Sequence, residues 1–291
     1  MILTLLGLPP TTNNLYAVIG RRHVLTEEGV RYHQQVRAVL ERVHSLPPAD
    51  GPFAVSITYY LGGYERDVEG SHKALIDAMS GMIWRDDRQI QLMCLRKRKA
   101  AAGMLPYVNI VTRRLAMQPA SMLSLPSAVR SVPRGLTLIT SVIPPTTNNI
   151  YFSTDSRIKT PAAQLAGRLF ARAYDNLAVA SDLALPWSGH LAGRIRYHFA
   201  ADRRDVDGSH KLLLDAAKGI LWHDDRQLTH ICLRKGKAGK NITPTIFASF
   251  WPIGEVVDNQ VPLTKLKARS SSKRPINNLR NALNRLSEGG S

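Results

Sequence analysis

A segment that occurs twice constrains the fold of this chain more than any other feature. Residues 66–73 read Arg-Asp-Val-Glu-Gly-Ser-His-Lys, and residues 204–211 repeat them with Asp207 in place of Glu69. Between 66–99 and 204–237, 21 of 34 positions are identical, and the identities include charged and small residues as well as apolar ones. A shared core alone would require only hydrophobicity. The chain is therefore expected to contain one domain twice, each copy with the same acids and lysine.

A second shared motif and a proline-rich gap set the limits of the two copies. Pro-Pro-Thr-Thr-Asn-Asn occupies residues 9–14 and 144–149, each time after an apolar run that predicts a first strand. Three prolines and no periodic pattern between them predict a linker. The expected organisation is a first repeat at 1–114, a linker at 115–135, a second repeat at 136–252 and a basic, disordered tail at 253–291.

Each repeat shows the same order of predicted elements: strand, loop, helix, strand, helix, strand and strand. Thr26 and Thr160 precede helical patterns, and threonine commonly caps helix N-termini. Alternation of apolar and polar residues at 53–60 and 192–199 predicts half-buried strands. The last two strands of each repeat are expected to form a hairpin with a basic tip. The predicted fold class is α+β, with two tandem domains that each contain a small mixed sheet and two helices.

The charge of the chain favours a polyanionic partner. Lys and Arg total 39 against 22 Asp and Glu, which gives a formal net charge of +17 at pH 7. No apolar run approaches the roughly 20 residues that cross a bilayer, so no membrane partner is expected. A basic surplus of this size favours nucleic acid, with a ribosome-associated or merely very soluble basic protein as the alternative.

The cysteines and the first residues indicate a compartment. Cys94 and Cys232 occupy equivalent positions in apolar stretches and are expected to be small buried strand residues in a reducing, cytoplasmic environment. A disulfide between them is not expected, and neither is a disulfide-linked partner. Residues 1–6 lack a preceding basic region and are interpreted as a strand rather than a signal peptide.

Acidic residues are concentrated in the repeated segments, although the chain as a whole is basic. Ten of the 22 acids belong to them: Asp67, Glu69, Asp77, Asp86 and Asp87 in the first copy, and Asp205, Asp207, Asp215, Asp224 and Asp225 in the second. Converging carboxylates raise each other's pKa unless a cation lies among them. Oxygen ligands, without histidine or thiolate at zinc-type spacing, favour Mg²⁺ or Mn²⁺. The sequence thus predicts two divalent metal sites.

Several residues of the motif have two interpretations. Lys73 is predicted to neutralise a phosphate oxygen in a phosphoryl-transfer transition state, with an i,i+4 pair to Asp77 as the alternative. The Asp-Asp pair that ends in Asp87 is predicted to supply a ligand, with a capped turn as the alternative. His72 and His210 are expected to be structural or to face solvent rather than to contact phosphate.

The distance between the two acidic motifs raises the question of how they meet. A helix of about 12 residues, roughly 18 Å long, is expected to separate Asp67 from Asp87. Either the loop after the helix folds back, or the other repeat completes each site, and we predict fold-back within a repeat. Gly70 is expected to permit the turn that brings Asp67 and Glu69 to one ion.

Basic residues at the predicted hairpin tips and asparagines in the shared turns are the candidates for contact with DNA. These residues are Arg96, Lys97, Arg98 and Lys99, then Arg234, Lys235 and Lys237, and finally Asn14 and Asn149.

Taken together, the motifs resemble those of the RusA-type Holliday-junction resolvases, endonucleases that cut four-way DNA junctions. The resemblance rests on Pro-Pro-x-x-Asn after the first strand, on Asp-x-Asp with a lysine four residues after the second acid, on the Asp-Ala of the helix and on the Trp-x-Asp-Asp turn. Each repeat carries the set, with Glu69 as the second acid in repeat 1, and the two cover about four fifths of the chain.

The resemblance implies a mechanism and an assembly. Members of that family act as homodimers with Mg²⁺, so the two repeats would pack as a pseudo-dimer within one monomeric chain, with branched DNA as the partner. The implied metal ligands are Asp67, Glu69 and Asp87 in repeat 1, assisted by Lys73, and Asp205, Asp207 and Asp225 in repeat 2, assisted by Lys211. Of these, the implied catalytic residues are the two lysines with Asp67, Asp87, Asp205 and Asp225.

Two departures from the family pattern affect this expectation. Gly70 and Gly208 stand where the family usually has asparagine after the second acid. Glu69 stands where repeat 2 keeps the shorter Asp207. A carboxylate moved by one methylene, about 1.5 Å, can misplace a metal, so the first repeat is expected to hold the weaker site.

The leading hypothesis is a Mg²⁺-dependent nuclease that resolves four-way junctions by paired phosphodiester hydrolysis in recombination and repair. One alternative is a metal-dependent nuclease for other branched DNA, and another is a non-catalytic junction-binding protein. The lysine and the acids in both copies speak against sites that have lost their chemistry.

Overall fold

Both repeats contribute to one eight-stranded mixed sheet in the computed structural model, which describes residues 1–19, 22–63, 66–116, 135–146, 149–152, 155–200, 204–238 and 243–254. Repeat 1 supplies β1 (Ile2–Leu6), β4 (Phe53–Leu61), β5 (Ile90–Lys99) and β6 (Tyr107–Arg114). Repeat 2 supplies β7 (Leu136–Thr140), β10 (Leu191–Phe199), β11 (Leu228–Lys237) and β12 (Thr245–Pro252). The spatial order is β1-β6-β4-β5-β11-β10-β12-β7. The two halves are thus related by a pseudo-two-fold axis between β5 and β11.

The helices and two small hairpins follow the strands in the same order in both repeats. The helices are α1 (Thr12–Leu15), α2 (Glu27–Val43) and α3 (His72–Met79) in repeat 1, then α4 (Pro161–Val179) and α5 (Lys211–Ala217) in repeat 2. The hairpins pair β2 (Tyr16–Ile19) with β3 (Arg22–Leu25), and β8 (Tyr151–Phe152) with β9 (Asp155–Lys159). Among the described residues, no helix has the length and apolar character needed to cross a membrane.

Side-chain caps fix the start of both long helices as predicted. Thr26 accepts a hydrogen bond from the backbone N–H of Gly29 at 3.1 Å, and Thr160 accepts one from Ala163 at 3.3 Å. Each cap satisfies a donor that the first helical turn leaves without a partner. The predicted α+β class and the tandem repeat are confirmed, and so is the order of the main elements.

The main core lies on one side of the sheet, where strand side chains such as Ile57 and Leu95 meet Leu75 of α3 and Val36 of α2. Successive strand residues point to opposite faces, so the neighbours of these core residues occupy the other side. There a second, small cluster contains Ala54, Leu92, Cys94 and Cys232, packed against Leu115. No described helical residue belongs to it. We call this side of the sheet the open face.

Antiparallel pairing of β5 with β11 joins the two repeats, and it places Cys232 directly opposite Cys94. The two cysteines form a disulfide, with Cα atoms 4.1 Å apart. The expectation of two separate thiols was therefore wrong. The reason is symmetry: equivalent residues on either side of a pseudo-two-fold axis become neighbours when the axis passes between them.

The expected terminal hairpin was also wrong. β5 and β6 do not pair with each other, because β4 lies between them, parallel to β5 and antiparallel to β6. The free edge of β5 is then available to β11 of the other repeat. Most of the predicted linker and almost all of the predicted tail lie outside the described residues, so the proposed domain limits stay a prediction.

The disulfide is expected to stabilise the association of the two repeats. A double Cys94→Ser, Cys232→Ser variant should lose about 2–4 kcal/mol of unfolding free energy, since the bond closes a long loop in the unfolded chain. Urea unfolding of both proteins, with and without a reducing agent, measures this. Reducing agent should lower the stability of the parent chain to that of the variant and leave the variant unchanged. Equal stability under oxidising conditions would contradict the expectation.

Candidate active site

The first acidic turn of each repeat is held by the Pro-Pro motif. Arg66 donates a hydrogen bond to the carbonyl of Pro9 at 2.8 Å, and the backbone N–H of Thr12 donates to the carbonyl of Gly70 at 2.7 Å. Arg204 makes the equivalent bond to Pro144 at 2.8 Å. Gly70 has no positive φ, and a Cβ there would meet Asp67 only at ordinary contact distance, so its predicted conformational role was wrong. The Pro-Pro segment therefore braces the acids from outside.

In the second acidic motif, Asp86-Asp87, the first aspartate caps a turn and the second lies next to other carboxylates. Asp86 caps the 3₁₀ turn Asp87–Gln89, accepting hydrogen bonds from the backbone N–H of Arg88 at 2.9 Å and its Nε at 2.7 Å. Asp224 does the same with Arg226 in repeat 2. The capped-turn interpretation thus holds for the first Asp of each pair. The second Asp is held next to the other acids.

The acidic motifs meet across the repeats. Carboxylate oxygens of Asp86, Asp87 and Asp205 all lie within 4.8 Å of one another, so two acids of repeat 1 converge with one of repeat 2. The Asp205 site comprises Asp205 and Asp207 with His72, Lys73, Asp86 and Asp87. The Asp67 site comprises Asp67 and Glu69 with His210, Lys211, Asp224 and Asp225.

The prediction that each site is completed by fold-back within one repeat is therefore wrong for the carboxylates. It holds for the contact between Lys73 and Asp87 of the same repeat. Lys73 Nζ lies 3.0 Å from Asp87 of its own repeat, because α3 has only 8 residues and not the expected 12. Beyond the effects of burial and of Glu69, the charge of Asp224 from the other repeat raises the pKa of Asp67. Beyond the effect of burial, the charge of Asp87 raises the pKa of Asp205. This outcome follows from the pseudo-two-fold axis between β5 and β11. The spacing of residues along the chain cannot predict it.

Two histidine–acid pairs cross the pseudo-two-fold axis. His72 Nε2 lies 2.9 Å from Asp207 Oδ2, and His210 Nε2 lies 2.7 Å from Glu69 Oε2, with ring centroids 5.8 Å apart. Burial disfavours the charge of Glu69, but the hydrogen bond and charge of His210 outweigh it and lower the pKa of Glu69 to about 2. The same balance with His72 holds the pKa of Asp207 below its usual range. The histidines are structural, as expected, and each positions the second acid of the other repeat.

Two lysines predicted to touch DNA are buried instead. Lys97 is 1 % exposed, and its Nζ donates to the carbonyls of Arg66 at 2.7 Å and Arg226 at 2.5 Å. Lys235 is 2 % exposed and donates to the carbonyls of Arg88 and Arg204 at 2.6 and 2.8 Å. Each lysine therefore ties one acidic turn of its own repeat to the capped turn of the other. Lys97 and Lys235 alternate in phase with the buried Leu95 and Leu233 along their strands. This alternation was the sequence signal for their burial, which the prediction overlooked.

Lys73 forms the i,i+4 pair that was its alternative interpretation, and it also contacts the second acidic motif, while its role towards phosphate stays a prediction. Its Nζ lies 2.9 Å from Asp77 Oδ1, the i,i+4 pair, and 3.0 Å from Asp87 Oδ2. Burial disfavours its charge, but the charges of Asp207, Asp77 and Asp87 outweigh burial and raise the pKa of Lys73. Tyr16 Oη in turn donates a short hydrogen bond to Asp77. Lys73 is thus a fixed cation beside the three converging carboxylates.

The Asp205 site has the chemistry of a divalent cation site. Asp205 Oδ1 is buried and has no hydrogen-bond partner among the described residues. Burial, followed by the charges of Asp87 and Asp207, raises the pKa of Asp205 to about 6. An unpartnered carboxylate oxygen among other carboxylates is the environment that a hard cation stabilises. These residues fit Mg²⁺ or Mn²⁺.

The Asp67 site differs from its counterpart. Trp222 Nε1 donates to Asp225 Oδ1 at 2.8 Å, and Lys218 Nζ lies 4.0 Å from its Oδ2. Lys211 Nζ lies 3.4 Å from Asp215 and 4.0 Å from Glu69. Among the described residues, the only cluster of three converging carboxylates is that of the Asp205 site. That the site containing Glu69 binds metal more weakly stays a prediction, and this geometry favours it.

The remaining DNA candidates lie in three places. The side chains of Arg96, Arg98 and Arg234 belong to the open face, since they share the strand phase of Cys94 and Cys232. Lys99 and Lys237 are exposed at the ends of β5 and β11. Asn14 and Asn149 are exposed in the segments that follow the Pro-Pro motifs. The predicted basic tip is therefore divided between the two faces of the sheet.

Comparison with known proteins identifies one family. The family model described as Endodeoxyribonuclease RusA matches the chain twice, over residues 7–110 and 150–245. Each match falls within one half of the sheet, although the first does not reach β1 and the second omits β7 and nearly all of β12. No curated protein sequence matches the chain significantly.

The buried role of Lys97 predicts a loss of stability upon its substitution. Lys97→Leu would leave the carbonyls of Arg66 and Arg226 without this donor and should cost about 2–4 kcal/mol of unfolding free energy. Lys99→Leu, at the exposed end of the same strand, is the control and should change stability by less than about 0.5 kcal/mol. Chemical unfolding measures both, and equal effects would contradict a special role for Lys97.

The raised pKa of Asp205 predicts a conflict between stability and function. An acid whose folded-state pKa is raised loses stability as the pH rises through that pKa, so the cost is fully present at pH 8 without metal. Asp205→Asn should then raise the unfolding free energy in EDTA by about 1 kcal/mol, a value reduced for partial exposure. Mg²⁺ should stabilise the parent chain more than the variant.

The control for this measurement is an exposed acid. Asp50, which pairs with Arg85 on the surface, should give an Asp50→Asn variant with unchanged stability and an unchanged response to Mg²⁺. A variant Asp205→Asn that is less stable than the parent chain in EDTA would show that Asp205 is not under electrostatic strain.

Proposed function

Because the chain belongs to the RusA endodeoxyribonuclease family, we propose that it is a divalent-metal-dependent nuclease that resolves four-way DNA junctions with two composite sites. The observation that carries the proposal is the convergence of Asp86, Asp87 and Asp205 from different repeats beside Lys73. The pseudo-two-fold arrangement of the chain suits a substrate that itself has approximate two-fold symmetry. Recombination and repair are the processes in which such a junction is cut.

The roles of the side chains follow from their contacts. Asp87 and Asp205, with the remaining oxygen of Asp207, would hold the cation, while Asp86 mainly caps its turn. A bound Mg²⁺ or Mn²⁺ would supply Lewis-acid stabilisation of a phosphate oxygen and an activated water. Lys73, kept charged by the surrounding acids, is placed to neutralise charge that builds on the phosphate. His72 positions Asp207 through its hydrogen bond.

The Asp67 site would use the equivalent residues, but their contacts favour cation binding less. Glu69 is engaged by His210, and Asp225 by Trp222 and Lys218, so binding of a cation there would require displacement of Lys218. Lys218 has the neutral Ser80 as its equivalent in repeat 1. Two unequal sites would cut the first strand at the Asp205 site and the second strand more slowly.

Pairs of substitutions distinguish composite sites from sites within one repeat. Asp67→Asn with Asp225→Asn removes two acids from the Asp67 site alone and should leave nicking of one strand by the Asp205 site. Asp67→Asn with Asp87→Asn removes one acid from each composite site and should abolish both incisions, by about 10²-fold or more. Both variants lack two acids, so each is the control for the other.

The assay is incision of a labelled four-way junction with Mg²⁺, read as single nicks and as paired resolution products. If the sites were built within repeats, the Asp67, Asp87 pair would keep an intact second site and would still nick. That result would contradict the composite arrangement. Absence of any incision by the parent chain with Mg²⁺ or Mn²⁺ would contradict the proposed function itself.

A further inference from the structure

The open face of the sheet carries an excess of arginine that the proposed nuclease sites do not use. Register places Arg194 and Arg196 of β10 beside Cys232 and Arg234 of β11, and Arg96 of β5 lies opposite His230. These side chains point away from the helices, on the side opposite to the buried Lys97 and Lys235, which contact the acidic turns. Arg194, Arg196 and Arg234 have no carboxylate within 4.0 Å among the described residues.

The clustering of Arg194, Arg196 and Arg234 is electrostatically unfavourable without a bound anion. Arg194, Arg196 and Arg234 are half-buried, and they line a small hollow of about 20 Å³ with Leu92 and Cys232. Burial, and for Arg196 the charges of Arg194 and Arg234, lowers their pKa values. Like charges held together without a counter-charge favour binding of a polyanion, which would remove this repulsion.

Comparison of the repeats shows that Arg194 and Arg196 are specific to the second half of the chain, whereas Arg234 has Arg96 as its equivalent. The positions of Arg194 and Arg196 correspond to Ser56 and Thr58 of β4, and the position of Trp251 corresponds to Arg113 of β6. A symmetrical pseudo-dimer needs none of these differences. They lie on one face and on neighbouring strands, so they define one asymmetric surface.

Aromatic rings accompany the arginines on this surface. Trp251 is partly exposed, and the guanidinium of Arg194 lies 5.8 Å from its ring centroid. His198 and Phe247 lie on the same face with ring centroids 5.5 Å apart. Arginines that contact phosphates, combined with rings on which bases stack, are the chemistry of sheet surfaces that bind single strands. A duplex keeps its bases stacked inside and would leave these rings unused.

We propose that the open face of repeat 2, formed by Arg194, Arg196, Arg234 and Trp251, binds single-stranded DNA on the side of the sheet opposite to the acidic sites. The arginines would contact successive phosphates, and Trp251 would stack on a base. This binding requires no metal and does not depend on cleavage at either acidic site.

The test replaces the arginines with the residues that repeat 1 carries at the same positions. Arg194→Ser with Arg196→Thr keeps side chains that the equivalent strand already accommodates, so the fold should survive, which thermal unfolding checks. Affinity for a labelled oligothymidylate in EDTA should fall about tenfold at low salt. The slope of log affinity against log salt should fall by about 1.4, since each phosphate contact on a single strand contributes about 0.7.

A second variant controls for net charge. Arg31→Gln with Arg42→Gln removes the same two charges from the exposed side of α2 and should leave the affinity for oligothymidylate nearly unchanged. An equal loss in both variants would overturn the proposal in favour of general charge attraction. A loss of affinity for duplex DNA with unchanged affinity for oligothymidylate would also overturn it.

Tryptophan fluorescence reports on the stacking. Of the four tryptophans, Trp84 and Trp222 are fully buried and Trp187 is 7 % exposed, so Trp251 dominates any quenching by a bound base. Oligothymidylate should quench the fluorescence of the parent chain and not that of Trp251→Phe. Quenching that persists in that variant would overturn the proposed contact.

The outcome is separable from that of the proposed function. Asp205→Asn should bind oligothymidylate as the parent chain does, whether or not the parent chain cuts junctions. Binding by Asp205→Asn that differs from that of the parent chain, including the tighter binding expected when a repulsive carboxylate is removed, would place the single strand at the acidic sites and overturn the proposal.

Discussion

The pairing of β5 with β11 is the interaction on which the rest of the structure depends. It merges two four-stranded halves into one sheet and places Cys94 against Cys232 at the pseudo-two-fold axis. It also brings the acidic turn of each repeat to the capped turn of the other, where Lys97 and Lys235 bind both. A shift of this pairing by one residue would turn the side chains of one strand to the wrong face and separate these contacts. The sites therefore exist only when the two repeats are joined in this register.

Electrostatic compensation explains why so many acids can be buried at this junction. Glu69 and Asp207 each receive a hydrogen bond from a histidine of the opposite repeat, which keeps them ionised. Lys73 neutralises Asp77 and Asp87. Within the part of the chain that the structure describes, Asp205 Oδ1 has no hydrogen-bond partner, and burial raises the pKa of Asp205 to about 6. The charges of Lys73 and Lys235 offset this cost only in part, so Asp205 is a carboxylate that an added cation would stabilise further.

Fusion of two copies into one chain allows them to differ, which identical subunits of a homodimer cannot do. Lys218 opposes Asp225 where repeat 1 has Ser80, and Glu69 stands where repeat 2 has Asp207. On the other side of the sheet, Arg194 and Arg196 replace a serine and a threonine. The first pair of differences makes the acidic sites unequal, and the second gives one repeat a basic surface. Both sets of differences lie at the acidic sites or on the open face rather than in the main core.

Patterns along the chain were enough to predict the duplication, the α+β class and the start of the long helices at Thr26 and Thr160, and they supplied the acids and lysine that are candidates for the two sites. These features follow from local patterns, capping chemistry and identity between the copies, all of which can be read along the chain. Three features emerge only from the folded chain: Asp87 joins Asp205 rather than Asp67, Cys94 bonds to Cys232, and Lys97 is buried while Arg96 lies on the open face. Each of these depends on which strand edge pairs with which, because pairing of β5 with β11 or with β6 would satisfy the same backbone hydrogen bonds and the same local propensities.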